Sequence, residues 1–285
     1  MQHTLQLPVE SASTTLQATT IKMPGLGSKA AAGVVGAAAL AGATLWLLGL
    51  PAVVVLMAAT ISSVAGFAFS PLAGAFLFHI SKDGLEAVQI MLVASIAIQA
   101  FSVWQLKKCI TVRALVPYLL GGMATVPLGV YLVLHTPLWA NTVTLGGFLM
   151  LYGGYMLWRA PLTLTRNSLT GQVLSGALGG ITGATAAFPG AFVAIWCSWH
   201  GWEKEEQRAI TQPYILFMQV AVLAMLLAVR PLGTFRPELL VFTLPALVGA
   251  WIGIGIYGKL NSAQFNKVVC VMLLFSGVLL SLKAM

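Results

Sequence analysis

Long runs of apolar residues alternate with short polar connections along the whole chain, and within each run the apolar character is continuous. That pattern predicts membrane-spanning helices. A transmembrane barrel would instead switch between polar and apolar residues along every strand. Apolar segments fall at 30–50, 52–80, 86–106, 114–134, 138–158, 171–200, 209–229, 238–258 and 264–284. A helix crosses a bilayer in about 20 residues. Most segments fit that length, but 52–80 and 171–200 are too long, and each is interrupted midway. The first interruption reads "SSVAGFAFSPLAGAF", with Gly66, Ser70 and Pro71. The second reads "GGITGATAAFPGAF", with Gly179, Gly180, Gly183, Pro189 and Gly190.

The two interrupted segments head two similar stretches. Gly-Ala-Phe follows the proline in both, at 74–76 and 190–192. A polar connection comes next, "SKDGLEAVQ" or "GWEKEEQRAITQ", and then a helix carrying Gln99 or Gln219. Further on, Gly129-Val130-Tyr131 faces Gly255-Ile256-Tyr257, and Gly153 faces Gly277. The expected architecture is therefore an all-α polytopic membrane protein. It has an extra N-terminal helix and two four-segment repeats, near 52–160 and 171–285, each starting with a broken or re-entrant helix. Internal duplication of this kind marks many secondary transporters.

Composition strengthens the membrane reading. Of the 285 residues, 59% are hydrophobic and 8% charged, against about 25% charged in soluble domains; mean hydropathy is +0.92. The formal charge of +8 does not point to nucleic acid, because the basic residues sit at segment ends. There they act as topology determinants and as partners for lipid phosphates. Residues 1–29 form a Ser-, Thr- and Gln-rich tail expected to be disordered and cytoplasmic, followed by an uncleaved first helix and a single transmembrane domain over 30–285. Cys109, Cys197 and Cys270 are far apart, with no metal-binding spacing, and read as packing thiols.

Lys and Arg also report on topology. If all nine segments cross, the N-terminal side carries seven basic residues and the opposite side eight. If the two interrupted segments are hairpins that enter and leave on one face, the split becomes eleven to four. The second arrangement obeys the positive-inside rule, places the N-terminus in the cytoplasm, inverts one repeat relative to the other and brings the two hairpin tips together from opposite sides. Discontinuous helices that do cross are the competing arrangement.

Non-helical backbone at membrane depth is tolerated only where it lines a cavity or is buried in protein. A break also exposes amide N–H groups and the positive end of a helix dipole. With Pro71 and Pro189 each opening a new half-helix, two such ends aim at the membrane centre, which suits a small anion; a kink used only for packing is the plainer alternative. The seven acidic residues lie at segment edges or in the tail. No carboxylate is placed to serve a proton or a cation inside the membrane. The polar groups of the core are neutral: Ser62, Ser63, Ser70, Ser95, Gln99, Thr125, Thr182, Thr185, Thr211, Gln212 and Gln219. Such groups either hydrogen-bond an oxyanion or pack helices. Arg208, in "EEQRAITQPY", either draws an anion into a vestibule or pairs with Glu205 or Glu206. No hydrolase, zinc-protease or nucleotide-binding motif is present, so the chain is not expected to be an enzyme, and no cofactor or metal is expected.

Two stretches, "EAVQIMLVASIAIQAFSVWQLKKCITVRALVPYLLGGMATVPLGVYL" and "GGITGATAAFPGAFVAIWCSWHGWEKEEQRAITQPYILFMQ", together with the glycine-broken segment heading each repeat, make the chain resemble the sulfite exporter TauE/SafE family over about 52–284. "GFAFSP" stands where many members carry a run of glycines. The resemblance implies a permease of the bacterial inner membrane, usually taken to export sulfite, organosulfonates or related small oxyanions. The expected partners are a small-molecule anion and the lipid bilayer. The expected binding residues are Gly66, Ser70, Pro71, Thr182, Gly183, Thr185, Pro189, Gly190, Gln99, Gln219 and Arg208. A coupled importer of thiosulfate or another sulfur compound, and a non-transport assembly factor, remain alternatives.

Overall fold

The computed structural model describes residues 49–80, 84–135, 138–158, 168–229 and 237–284. The expected tail 1–29 and nearly all of the first helix at 30–50 lie outside them. The described residues form α1 (Leu50–Ala65), α2 (Phe69–Ile80), α3 (Gly84–Leu106), α4 (Val112–His135), α5 (Leu138–Trp158), α6 (Leu169–Ala186), α7 (Ala191–Trp199), α8 (Lys204–Val229), α9 (Thr243–Tyr257) and α10 (Ser262–Ala284). A 3₁₀ turn, Pro237–Phe242, leads into α9. Among these residues there is no strand, and five stretches are long and apolar enough to cross a membrane: Gln89–Leu106, Val112–Leu132, Lys204–Met225, Pro237–Tyr257 and Ser262–Leu279. The protein is an all-α polytopic membrane protein.

Both long segments are broken, and the breaks are built alike. α1 ends at Gly66, whose φ of +89° reverses the chain and whose N–H bonds the Ser62 carbonyl at 2.7 Å. Phe67 follows, then Ala68 at φ +74°. α6 begins at Ser168, where Oγ accepts from the Gly171 N–H at 3.1 Å. It ends at Ala187, φ +53°, followed by Phe188 and the Pro189-Gly190 turn. Ala68 and Ala187 thus flank equivalent phenylalanines in the left-handed region, which costs an L-residue on the order of 1–3 kcal/mol.

One proline sits in the first turn of its half-helix as the sequence suggested, and the other does not. Pro71 is the third residue of α2, inside the first turn, where its missing N–H would have had no helical partner anyway. Pro189 lies two residues ahead of α7, because Gly190 is that helix's N-cap. The Gly-Ala-Phe match therefore falls at different places: Gly74 is well inside α2, Gly190 just before α7.

Close approaches at glycine fix how the helices run. Gly171, in the first turn of α6, lies against the Trp196 ring near the end of α7, and Gly183, near the end of α6, lies against Pro189. α6 and α7 therefore fold back on each other as a hairpin. Along α1 and α9 the contacts advance together: Gly249 meets Leu56 and Ala59, Gly253 meets Thr60 and Ser63. α4 and α6 are likewise parallel, with Gly176 on Tyr118, Gly180 on Gly122 and Thr125, and Gly129 on Ile181 and Ala184. α5 and α10 are antiparallel, because Gly146 meets Gly277 and Ser281 while Gly153 meets Cys270 and Leu274.

These three pairings are the most extensive in the fold, and each joins a helix from the first half to one from the second. Small residues let the backbones close up where lipid supplies no hydrophobic drive. Thr125 Oγ1 adds a hydrogen bond across the α4–α6 seam, to the Ala177 carbonyl at 2.6 Å. A methyl group separates seam glycines from lipid-side ones. Gly176→Ala pushes a Cβ into the Tyr118 backbone and should destabilise by about 1–3 kcal/mol. Gly147→Ala meets nothing within 4 Å and should stabilise by up to about 1 kcal/mol. Thermal unfolding of the two purified variants in detergent reads both signs.

Candidate functional site

The two breaks meet. The Phe67 and Phe188 rings pack edge to face, centroids 5.8 Å apart at an interplanar angle of 60°, a geometry worth about 0.5–1.5 kcal/mol beyond burial. Around this pair lies a cavity. Phe67, Ala68, Phe69 and Ser70 line it from the first break, and Ala187, Phe188, Pro189 and Gly190 from the second. α3 contributes Ser95 and Gln99, and α8 contributes Ile215 and Gln219. The lining repeats itself: Phe67 answers to Phe188 and Gln99 to Gln219, each glutamine four residues after its neighbour, Ser95 or Ile215. The free volume is about 10 Å³, room for about one water molecule.

Hydrogen-bonding groups converge on this space. Gln219 Nε2 donates to Ser95 Oγ at 2.6 Å, tying α8 to α3, while its Oε1 has no partner. Gln99 is 3% exposed and its Oε1 is also without a partner. The first N–H groups of α2 and α7 start at the cavity edge, where a helix leaves its amides unpaired and its dipole positive.

Of the residues expected from the sequence, the fold brings Ser70, Gln99, Gln219, Pro189 and Gly190 to the cavity wall. The others are placed elsewhere. Gly66 lies beside α8, where its carbonyl accepts from Gln212 Nε2 at 2.7 Å. Pro71 is buried in the first turn of α2. Gly183 gives Pro189 room to pack on α6. Thr182 Oγ1 lies within bonding distance of the carbonyls of Leu178, at 3.0 Å, and Phe188, at 3.1 Å, while its own carbonyl takes the Phe188 N–H at 3.2 Å. Thr185 Oγ1 donates to the Ile181 carbonyl at 3.0 Å. These two hydroxyls are occupied by backbone, and Thr182 closes the break.

Arg208 is 3% exposed, its guanidinium 4.2 Å above the Tyr257 ring centre. It makes no salt bridge to Glu205 or Glu206; Glu205 instead pairs with Lys204 at 3.6 Å. The two phenylalanines and Ile215 were not foreseen as lining residues. The matching phenylalanine after each break was the available signal.

A family model, sulfite exporter TauE/SafE, matches residues 50–280, from the first residues of α1 nearly to the end of α10. The chain belongs to the TauE/SafE family. No curated protein and no solved structure matches it. TauE/SafE proteins are membrane transporters of sulfur compounds, and this TauE/SafE protein is accordingly a multi-pass membrane permease of that class. The region matched contains both breaks and every group at the cavity.

The occupied hydroxyl at the second break gives a direct test. Thr182→Val keeps the shape and removes the bond to the Phe188 carbonyl, so it should lower stability by about 1 kcal/mol. The affinity for the transported sulfur compound should be unchanged, since the hydroxyl already serves the backbone. Thermal unfolding and anion binding measured on the same preparation check the pair of outcomes.

Proposed function

We propose that this TauE/SafE permease exports a small sulfur oxyanion, sulfite or an organosulfonate, and that the cavity between the two breaks is where the anion is held. The observation carrying the reading is the convergence of two helix N-termini with Ser70, Gln99 and Gln219 around one buried space. Helix amides, a hydroxyl and carboxamide N–H groups are the donors an oxyanion needs. Either glutamine can present nitrogen to the cavity by rotating its amide, because the two ends of a carboxamide exchange by a simple flip.

Helix directions support a re-entrant, inverted arrangement in the bacterial inner membrane. α6 and α7 already form a hairpin. Given that, and single crossings by α3, α4, α5, α8 and α9, α1 runs parallel to α9 only if α1 and α2 also return to the side they came from. The antiparallel run of α5 and α10 follows from the two crossings, α8 and α9, in between. Lys and Arg then fall eleven to four, which favours a cytoplasmic N-terminus and puts the start of α8 on the cytoplasmic side. Cysteines introduced singly at Ser168 and Glu203, the two ends of the α6–α7 hairpin, should both react with an impermeant reagent from the cytoplasmic face, with the native cysteines replaced. Labelling from opposite faces would overturn the hairpin topology.

A cavity this small must widen to admit an oxyanion, as alternating access by one repeat rocking against the other requires. A negative-inside potential drives an anion outward with about 2.3 kcal/mol per charge per 100 mV. Export therefore needs no coupling ion, in keeping with the lack of acidic residues between Glu86 and Glu203. Proteoliposomes loaded with sulfite should release it on an imposed potential, and the Gln99→Leu/Gln219→Leu double variant should slow release at least tenfold. Undiminished release by that variant, or none by the wild type with sulfite, taurine, sulfoacetate or thiosulfate inside, would sink the reading.

A further inference from the structure

A second cluster of buried polar groups lies alongside the first break, away from the cavity wall. Arg208, Gln212, Ile215 and Gln219 recur at helical spacing and share one face of α8. Gln219 reaches the cavity; Arg208 lies about 16 Å of helix earlier, at eleven residues and 1.5 Å each. Between them Gln212 grips the Gly66 carbonyl. The Gly66 Cα is so close that an added Cβ would strike Gln212 Nε2 and lie 3.6 Å from Arg208 Nε.

The cluster is underused by the protein itself. Arg208, Gln212 and Ser63 are 3%, 1% and 1% exposed. Arg208 Nε and Nη1, Gln212 Oε1 and Ser63 Oγ all lack a hydrogen-bond partner among the described residues. Tyr257 supplies a ring face to the guanidinium, and Ser63 lies one turn before Gly66 on α1. A buried guanidinium is tolerated when a counter-charge satisfies it, yet among the described residues Glu205 acts on it only from beyond salt-bridge distance. The two nitrogens left open, Nε and Nη1, carry N–H groups that point in different directions, each able to donate to an oxyanion as a single charge-assisted bond.

We propose that Arg208, with Gln212, Tyr257 and Ser63, forms a second oxyanion site, a staging point between the start of α8 and the cavity at the breaks. The proposal rests on the reading of the chain as an oxyanion permease. The anion is the close counter-charge that Glu205, beyond salt-bridge distance, does not supply to Arg208, and it passes along the α8 face from the guanidinium to Gln219. Gln212 links the two stations, since letting go of the Gly66 carbonyl to meet an anion would also loosen the first break.

The test uses the full-length protein, with sulfite as probe, thermal unfolding in detergent and efflux from proteoliposomes. Arg208→Met fills the same volume without charge. If Arg208 awaits an anion, sulfite-free Arg208→Met should melt no lower than the wild type, because an unsatisfied buried charge has gone. It should lose most of the sulfite-induced rise in melting temperature and need at least tenfold more sulfite for half-maximal efflux; Arg208→Lys should recover part of both. The Gln99→Leu/Gln219→Leu double variant should lose efflux yet keep the Arg208-dependent part of the thermal response. The proposal is overturned if Arg208→Met melts well below the wild type with its sulfite response intact, which makes the guanidinium a packing group for Tyr257. It is overturned equally if sulfite stabilises neither protein. A wild type that fails to transport sulfite but is stabilised by it through Arg208 would remove the export reading and leave this site standing.

Discussion

Backbone that leaves the helix inside a bilayer must find its hydrogen bonds within the protein, because the surrounding hydrocarbon offers none. Everything distinctive in this fold answers that demand at two places. At the first break, Gln212 reaches across from α8 to take the Gly66 carbonyl. At the second, the Thr182 side chain and carbonyl bracket Phe188. Once these bonds are made, two strained alanines and two phenylalanines can be held in register, and the amides that remain unpaired are those that open the next half-helices. The site is what is left over after the breaks have been made safe.

The same logic separates residues that build the breaks from residues that face the space between them. Thr182, Thr185 and Gly183 are builders. Ser70, Gln99 and Gln219 line the cavity, Gln99 and Gln219 each keep an unpartnered Oε1, and the two glutamines occupy equivalent places in the two halves. Arg208 has no basic counterpart at the matching position of α3, which is apolar Val88. The lining around the breaks is therefore near-symmetric in its neutral glutamines, while the basic charge of Arg208 lies on the second half alone.

Much of this was legible in the chain. Continuous apolar runs identified the helices, and overlong runs with glycine and proline identified the breaks. Gln99 and Gln219 were legible through the repeat, because each follows the polar connection after its interrupted segment. Less legible was which hydroxyl would turn inward. Thr182 and Thr185 sit in the broken region just as Ser70 does, but a threonine inside a helix readily bonds the carbonyl a turn earlier, and both do so. The second half-helix also starts two residues after its proline, with Gly190 as its N-cap. That Arg208 stacks on Tyr257 and makes no salt bridge to Glu205 or Glu206 could not be read at all: all three lie within four residues of one another in sequence.

The seams between α1 and α9, α4 and α6, and α5 and α10 all join early chain to late chain. While the ribosome is still making the second half, glycine-lined faces of the first half have no partner in the protein and must rest against lipid or an insertion factor. Assembly is consequently a late event. A nascent chain halted after α5 presents α1, α4 and α5 with their mating surfaces bare, and such an intermediate is the species that membrane quality control would meet.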